Sequence, residues 1–320
     1  MDALVVMLKN VIIFVLLAIP GFLLVKAKKL KKEQSGALSA LLMYVGMPFL
    51  VFTSTVNKVT LNTKLLTTIA ISIVIGLVFH FAMFFVSKPL TKGDKDQKVQ
   101  GMTRFCSIFS NSGFLGFPLA MAVFGDNSMA LTVLIIINII MNVLMFTLGV
   151  YLVSGDKKTI SLKKAFLNPV LIAFVLGIVA NLLNLKEYLP EAVTYSTHFS
   201  NLVTPISMTI LGMKMGDVKL MEFFKCVKLY YVSLLKLVVF PVVAVGLIFL
   251  LKLVWNLVTA DVVLGTLLAF ATPTAGLAST FADSYGGDSE NAVVLTLGTT
   301  ILSIISIPLL YWGVCLLLQI

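Results

Sequence analysis

Apolar residues run along this chain in stretches of about twenty, separated by short polar breaks, from one end to the other. A helix needs about 20 such residues to cross the hydrocarbon of a bilayer. Ten spans are predicted on that basis, at about 4–25, 35–57, 65–87, 105–124, 129–153, 167–185, 194–213, 229–251, 261–285 and 291–318. Two of them carry an unusual interior. The fourth contains "NSGFLGFPLAMAVFG" (Asn111 to Gly125) and the ninth "LLAFATPTAGLASTFADSYGG", each with proline and glycine near its centre.

Composition strengthens the membrane reading. The 320 residues are 59% hydrophobic and 12% charged, with mean hydropathy +1.05, whereas soluble domains hold about 25% charged residues. No stretch remains for a soluble domain. The net charge of +10 resides in short lysine runs between spans, which excludes a nucleic-acid patch and sets orientation instead. Loops after the first, third, fifth and seventh spans hold eighteen of the 24 Lys and Arg. The other loops hold four (Lys58, Lys64, Lys186, Lys252), and Lys9 and Lys236 fall within spans. This bias predicts both termini on the extracytoplasmic side of the cell membrane. The basic run "KAKKLKK" follows the first apolar stretch, so that stretch is expected to be a retained helix, not a signal peptide. Cys106, Cys226 and Cys315 have neither disulfide-framework nor metal spacing and read as apolar filler. No cofactor is expected.

The prolines repeat. Pro48 and Pro118 are 70 residues apart, Pro205 and Pro273 are 68 apart, and "FGDNSMA" (Phe124 to Ala130) is echoed by "YGGDSENA" (Tyr285 to Ala292). Five helices per half is an odd number, which would place the second half upside down, the inverted repeat of secondary transporters. The predicted units are residues 1–153 and 167–320, joined by a cytoplasmic linker at 154–166.

Helix-breakers at mid-membrane predict discontinuous helices, tolerated where protein or a watery cavity satisfies the backbone. Gly113 and Gly116 ease departure from helical geometry, and Pro118 suits the start of a new helix. Pro273, Thr274 and Gly276 are expected to do the same in the ninth span. The second half-helices, from near Pro118 and Thr274, would aim positive dipole ends at one point, favouring an anion by about 0.3–1 kcal/mol each. Asn111 is placed to donate to a ligand or to cap freed backbone groups. Asn138 and Asn142, four apart, share one face and serve either as helix glue or as cavity lining. Lys236, the most deeply placed cation, is a site candidate, although its stem is expected to snorkel to the headgroups. His80 reads as a packing residue, and Asp283 as a group near the cytoplasmic boundary.

"NSGFLGFPLAMAVFGD" resembles the first break motif of the auxin efflux carrier family, whose bacterial members include permeases for malate and related carboxylates. "FATPTAGLASTFADSYGGDSENAVVLTLGTTILSIISIPLLYW" is similar to that family's ninth and tenth helices, and "LLMYVGMPFLVF" and "HFSNLVTPISMTILG" to its second and seventh. The resemblance implies an all-α fold of ten transmembrane helices in two inverted five-helix repeats, like the bile acid/sodium symporters and sodium/proton antiporters. It implies a scaffold of helices 1, 2, 6 and 7 that forms a homodimer. Helices 3–5 and 8–10 would form a transport bundle that moves like an elevator. Pro118 and Pro273 match the crossover prolines, and Asn111 an asparagine near the substrate carboxylate. Few acids lie in the bundle, against the clustered ligands of sodium-binding relatives.

A secondary transporter of small organic anions, such as malate or auxin-like acids, is therefore expected. The alternatives are a sodium- or proton-coupled symporter of another solute, or a channel or sensor of the same fold. An intramembrane enzyme would need a nucleophile–base pair or metal ligands. Two histidines, with no HExxH and no GxSxG, argue against that.

Overall fold

The computed structural model describes residues 3–56, 63–91, 93–94, 96–125, 128–216, 226–254 and 258–319. Lys58, Lys92, Lys95, Lys219 and Lys225, used above for orientation, and Asp126 and Asn127 of the echo lie outside them. Thirteen principal helices are labelled here in chain order. They are α1 (Ala3–Lys26), α2 (Ser35–Val56), α3 (Thr63–Leu90), α4 (Gln97–Ile108), α5 (Ser112–Phe124), α6 (Met129–Ser154), α7 (Pro169–Leu182), α8 (Pro190–Ser200), α9 (Val203–Met215), α10 (Val227–Lys252), α11 (Ala260–Ala271), α12 (Ala278–Tyr285) and α13 (Ser289–Leu318). Among the described residues, six of them (α1, α2, α3, α6, α10 and α13) are long and apolar enough to cross a membrane.

Helix α1 packs along α9, while α2 packs along α7 and α8. The α1–α9 crossing needs glycine. A Cβ on Gly21 would overlap the carbonyl of Thr209, and one on Gly212 the carbonyl of Ala18. In the rest of the molecule α3 packs on α6 and α10 on α13. Helix α4 contacts α13 and α3, and α11 contacts α6 and α10. One continuous core runs through these elements, with Phe105, Phe109, Phe117 and Phe270 fully buried.

The echoed motifs are now explained locally. Helices α5 and α12 both end at glycines with positive φ, Gly125 (80°) and Gly286 (76°), a conformation glycine adopts without a Cβ clash. The next helix is then capped by a side chain, Ser128 accepting from Leu131 N–H at 3.1 Å and Asp288 from Asn291 N–H at 3.0 Å. Pairs of short and long helices are thus punctuated in the same way in both halves.

The fourth span differs from expectation. Its helix begins at Gln97, not 105, because polar residues that look like loop are satisfied inside the fold. Arg104 donates through Nη2 to Phe84 O at 2.8 Å and through Nε to Ser87 Oγ at 3.2 Å, which occupies groups near the end of α3. Asn291 donates to Thr103 Oγ1 at 3.0 Å. The break consequently lies at Phe109–Asn111, two residues before Gly113 and seven before Pro118.

Gly113 and Gly116 sit instead in a widened, π-type turn, Ser112–Gly116, inside the second half-helix, and Pro118 follows that turn by two residues. Turns of this kind also precede Pro48 (Leu42–Gly46) and Pro241 (Leu235–Val239) by two residues. Proline lacks an N–H and its ring presses on the carbonyl four residues back, so the extra residue in the turn relieves both problems. Pro118 is therefore a helix residue accommodated by a bulge. Pro273 is a break residue. Counted from the bridge residues Ser110 and Thr274, Pro118 lies eight residues after and Pro273 one residue before.

Candidate functional site

The two interrupted helices meet at their gaps. Asn111 N–H donates to Pro273 O at 2.7 Å, and Ala275 N–H donates to Phe109 O at 2.9 Å. The result is a two-residue antiparallel bridge centred on Ser110 and Thr274. Backbone polar groups freed by unwinding one helix are thus satisfied by those freed in the other, as burial demands. Thr274, expected to begin a helix, is extended and fully buried. It donates through Oγ1 to Cys106 O at 2.9 Å and through N–H to Thr299 Oγ1 at 3.2 Å. Helix α12 begins four residues later.

A cavity of about 600 Å³ lies beside this crossing and extends to the linker between the halves. Asn111, Gly113, Asn138, Asn142 and Gly276 line it, as do Ser110, Met47, Met141 and Tyr285. Gly116, Pro118, Pro273 and Thr274 are buried behind it. The lining joins a methionine- and aromatic-rich body to a few amides and hydroxyls, the usual make-up of a small-molecule site. Among the described residues it holds no carboxylate and one charged group, Lys163 at the linker.

The polar groups on the wall form a chain. Asn142 donates through Nδ2 to Asn138 O at 2.8 Å and to Asn138 Oδ1 at 2.9 Å. Asn138, 2% exposed, donates in turn to Ser112 Oγ at 2.8 Å. This amide is committed to holding the first turn of α5, and Asn142, half-buried, is the member nearer the cavity. Asn111 lies against Gly276. A Cβ there would come 3.4 Å from Asn111 Oδ1 and 3.1 Å from Phe114 Cδ2. Glycine at 276 is what lets the asparagine side chain approach the second break.

Lys236 corrects the snorkelling expectation. It is 0% exposed, sits in the widened turn Leu235–Val239 of α10, and points inward. Its Nζ donates to Ile108 O at 3.1 Å and to Ser110 Oγ. A central lysine costs about 2.5–3.5 kcal/mol in a membrane. The negative dipole end of α4, worth up to about 2 kcal/mol when partly buried, and hydrogen bonds from a charged donor, about 1.5–3 kcal/mol each, are large enough to offset it. Ser110 lines the cavity, so the ammonium stands one hydroxyl behind the wall.

Sequence reasoning missed Ser110, Ser112 and Lys214. The two serines carry no distinguishing spacing. Lys214, assigned to a loop because it ends an apolar run, belongs to α9 and donates to Gly276 O at 2.7 Å, reaching the second break. His80 packs as expected. It is buried, within hydrogen-bonding distance of Gly76 O through Nδ1 (2.6 Å), and has Phe109 and Phe270 against its ring. Asp283 is exposed and accepts from Ser289 Oγ.

Known proteins carry the same sequence pattern over nearly the whole chain. A family model described as "Membrane transport protein" matches residues 5–162 and 157–311. An uncharacterized transporter of Methanothermobacter thermautotrophicus is 28% identical over 311 residues, covering 96% of both chains. An uncharacterized transporter of Methanocaldococcus jannaschii is 27% identical over 213 residues, 64% of this chain and 68% of that one. With crossing broken helices beside a polar-lined cavity and this match along both halves, the chain belongs to the membrane transport protein family, that of the auxin efflux carriers.

Proposed function

We propose that this protein is a secondary transporter of small organic anions in the cell membrane, with its substrate held beside the crossing of α4–α5 and α11–α12. The observation that carries this reading is the cavity at the crossing. Its charged complement is cationic, with Lys163 at its mouth and Lys236 one hydroxyl behind its wall. The first N–H groups of α5, which have no intrahelical partner, lie at the same point. An amide and hydroxyl lining supplies donors for a carboxylate, and the methionine and aromatic surface accepts an apolar body.

The architecture we propose is ten transmembrane helices in two inverted five-helix units. Helices α1, α2, α7, α8 and α9 would form a scaffold through which two copies pair, and the remaining helices a bundle that moves as an elevator. Exchange of packing partners supports the repeat. Swapping the halves turns the α1–α9 pair into the α7–α2 pair, α3–α6 into α10–α13, and α4–α13 into α11–α6, each of which exists. With the linker on the cytoplasmic side, as its lysines predict, the cavity faces inward.

The test is charge displacement from proteoliposomes on a solid-supported membrane, pulsed with malate, lactate and indole acetate. Saturable current for a carboxylate, abolished by Asn111→Ala in protein that still elutes as a folded peak, is the expected result. Current that rises linearly with concentration would mean a channel. No response to any carboxylate across a pH step, from folded protein, would overturn the organic-anion reading.

A further inference from the structure

The interrupted helices of carriers commonly offer their carbonyl ends to a coupling cation, which enters and leaves with substrate. In this protein the carbonyl end of α4 is already occupied. Phe105 O accepts from Phe109 N–H at 3.0 Å, Cys106 O from Thr274 Oγ1 at 2.9 Å, and Ile108 O from Lys236 Nζ at 3.1 Å. The ammonium is fully buried, and among the described residues no carboxylate forms an ion pair with it. It is also held by the hydroxyl of Ser110, the residue at the centre of the crossing bridge. A lysine attached to α10, in a widened turn that faces it inward, thus holds its Nζ by a covalent tether where a dissociable ion would otherwise stand.

We propose that Lys236 is a tethered cation that substitutes for an alkali-metal coupling ion at the helix crossing. Anion binding at the cavity would then need no sodium. A cation fixed by a covalent tether does not leave with substrate, so when protonated it biases the site beside Ser110 toward anions. Acting through Ser110, Lys236 is a positioning residue and does not itself contact substrate. Lys214 plays no equivalent part, because it reaches Gly276 O from α9, an element outside the group α3–α6 and α10–α13.

The test uses purified full-length protein. Its first arm is thermal unfolding in sodium chloride, choline chloride and propylammonium chloride at equal ionic strength. This arm does not depend on the organic-anion reading. Any ion that binds the native fold raises its Tm, so the wild-type Tm is expected to be the same in sodium and choline. Lys236→Ala removes the atoms that propylammonium contains. Its Tm should fall and be raised again by propylammonium, but not by propanol.

The second arm is the current evoked by malate, lactate and indole acetate. Lys236→Met, which keeps volume and loses charge, should reduce it at least about tenfold, equivalent to about 1.4 kcal/mol, in folded protein. Propylammonium should restore current to Lys236→Ala and not to Lys236→Met. A wild-type Tm or current that rises with sodium overturns the proposal, as does undiminished current from Lys236→Met in choline. If Lys236→Ala does not fold, Lys236→Met and the wild-type sodium comparison decide the matter.

Discussion

The break between α4 and α5 and the break between α11 and α12 are built on one plan and finished differently. Each contributes one residue to the central bridge, and each is entered by a twelve-residue helix, Gln97–Ile108 or Ala260–Ala271. Beyond the bridge they diverge. The first resumes helix at once, at Ser112, and its first turn is held by Asn138 from α6. The second stays irregular through Leu277. On α13, Thr299 accepts from Thr274 N–H at 3.2 Å while donating to its own helix, and Thr300 donates to a carbonyl one turn earlier. Thr296 Oγ1 has no partner. The space on the α6 side is about 600 Å³, and on the α13 side about 20 Å³. The two breaks together form the crossing, and the side chains around it leave the larger space, where we propose the site, on one side only.

Among changes that compare the two sides of the crossing, the largest expected effect comes from Asn138→Ala. It strips Ser112 Oγ of its amide donor and leaves Asn142 only the backbone carbonyl of residue 138 as acceptor. An orphaned buried polar group costs about 1–3 kcal/mol, so carboxylate affinity should fall by roughly tenfold to a hundredfold. The mirror change, Thr296→Val, removes a hydroxyl that has no partner and fills the same volume, and should leave affinity within about twofold. Concentration dependence of the evoked current measures both. Equal losses would mean that both sides of the crossing bind, and the asymmetry argument would fail.

How far the sequence displays this site depends on which force places each residue. Six of the spans are legible as long helices among the described residues, because hydrocarbon demands about twenty apolar residues whatever the tertiary context. The ninth-span break at Pro273 is legible too, since proline cannot donate to the preceding turn. The fourth-span break is not, because "FSN" at 109–111 contains nothing that forbids a helix. It unwinds there because the second break offers it Pro273 O and Ala275 N–H, which are 162 or more residues away in the chain. Lys236 was misread for a related reason. Position along a span argues for snorkelling, and only the tertiary fold brings the open carbonyl of Ile108 within reach. Gln97–Arg104 looked like loop until α3 and α13 supplied partners for its polar side chains.

The two glycines nearest Asn111 give a smaller, graded test. A methyl on Gly276 would press on the ring of Phe114 and on Asn111 itself, at 3.1 and 3.4 Å. Both groups border the cavity, so the few tenths of an ångström by which they must give come out of the space proposed for the ligand. A methyl on Gly113 would lie 2.8 Å from Met47 Cε, the far end of a flexible side chain that can rotate away. Gly276→Ala should therefore weaken carboxylate affinity by about fivefold to tenfold, near the 1–3 kcal/mol of overpacking at its lower end. Gly113→Ala should weaken it less than about threefold. The reverse order would place the ligand against Met47 and α2 instead of between the breaks.

Only a small effect is expected at the residue that most suggests a break in the sequence. Pro118 lies inside α5, buried, after a widened turn that already meets its steric needs. Pro118→Ala restores an N–H and lets the turn tighten to ordinary α geometry, which would shift Ser112–Gly116 by a fraction of a turn and leave the Asn111–Pro273 bridge intact. Transport should fall by no more than about threefold, with Tm unchanged or slightly raised, because alanine is the better helix former by about 3 kcal/mol in an unstrained helix. Pro273→Ala acts at the other break, where the proline's fixed φ holds the extended conformation and its carbonyl receives Asn111 N–H. Loosening that segment should cost more current than Pro118→Ala does. If Pro118→Ala were instead the more damaging change, the bulge in α5 would itself be part of the moving machinery. The difference between the two breaks would then lie in how they bend and not in what lines them.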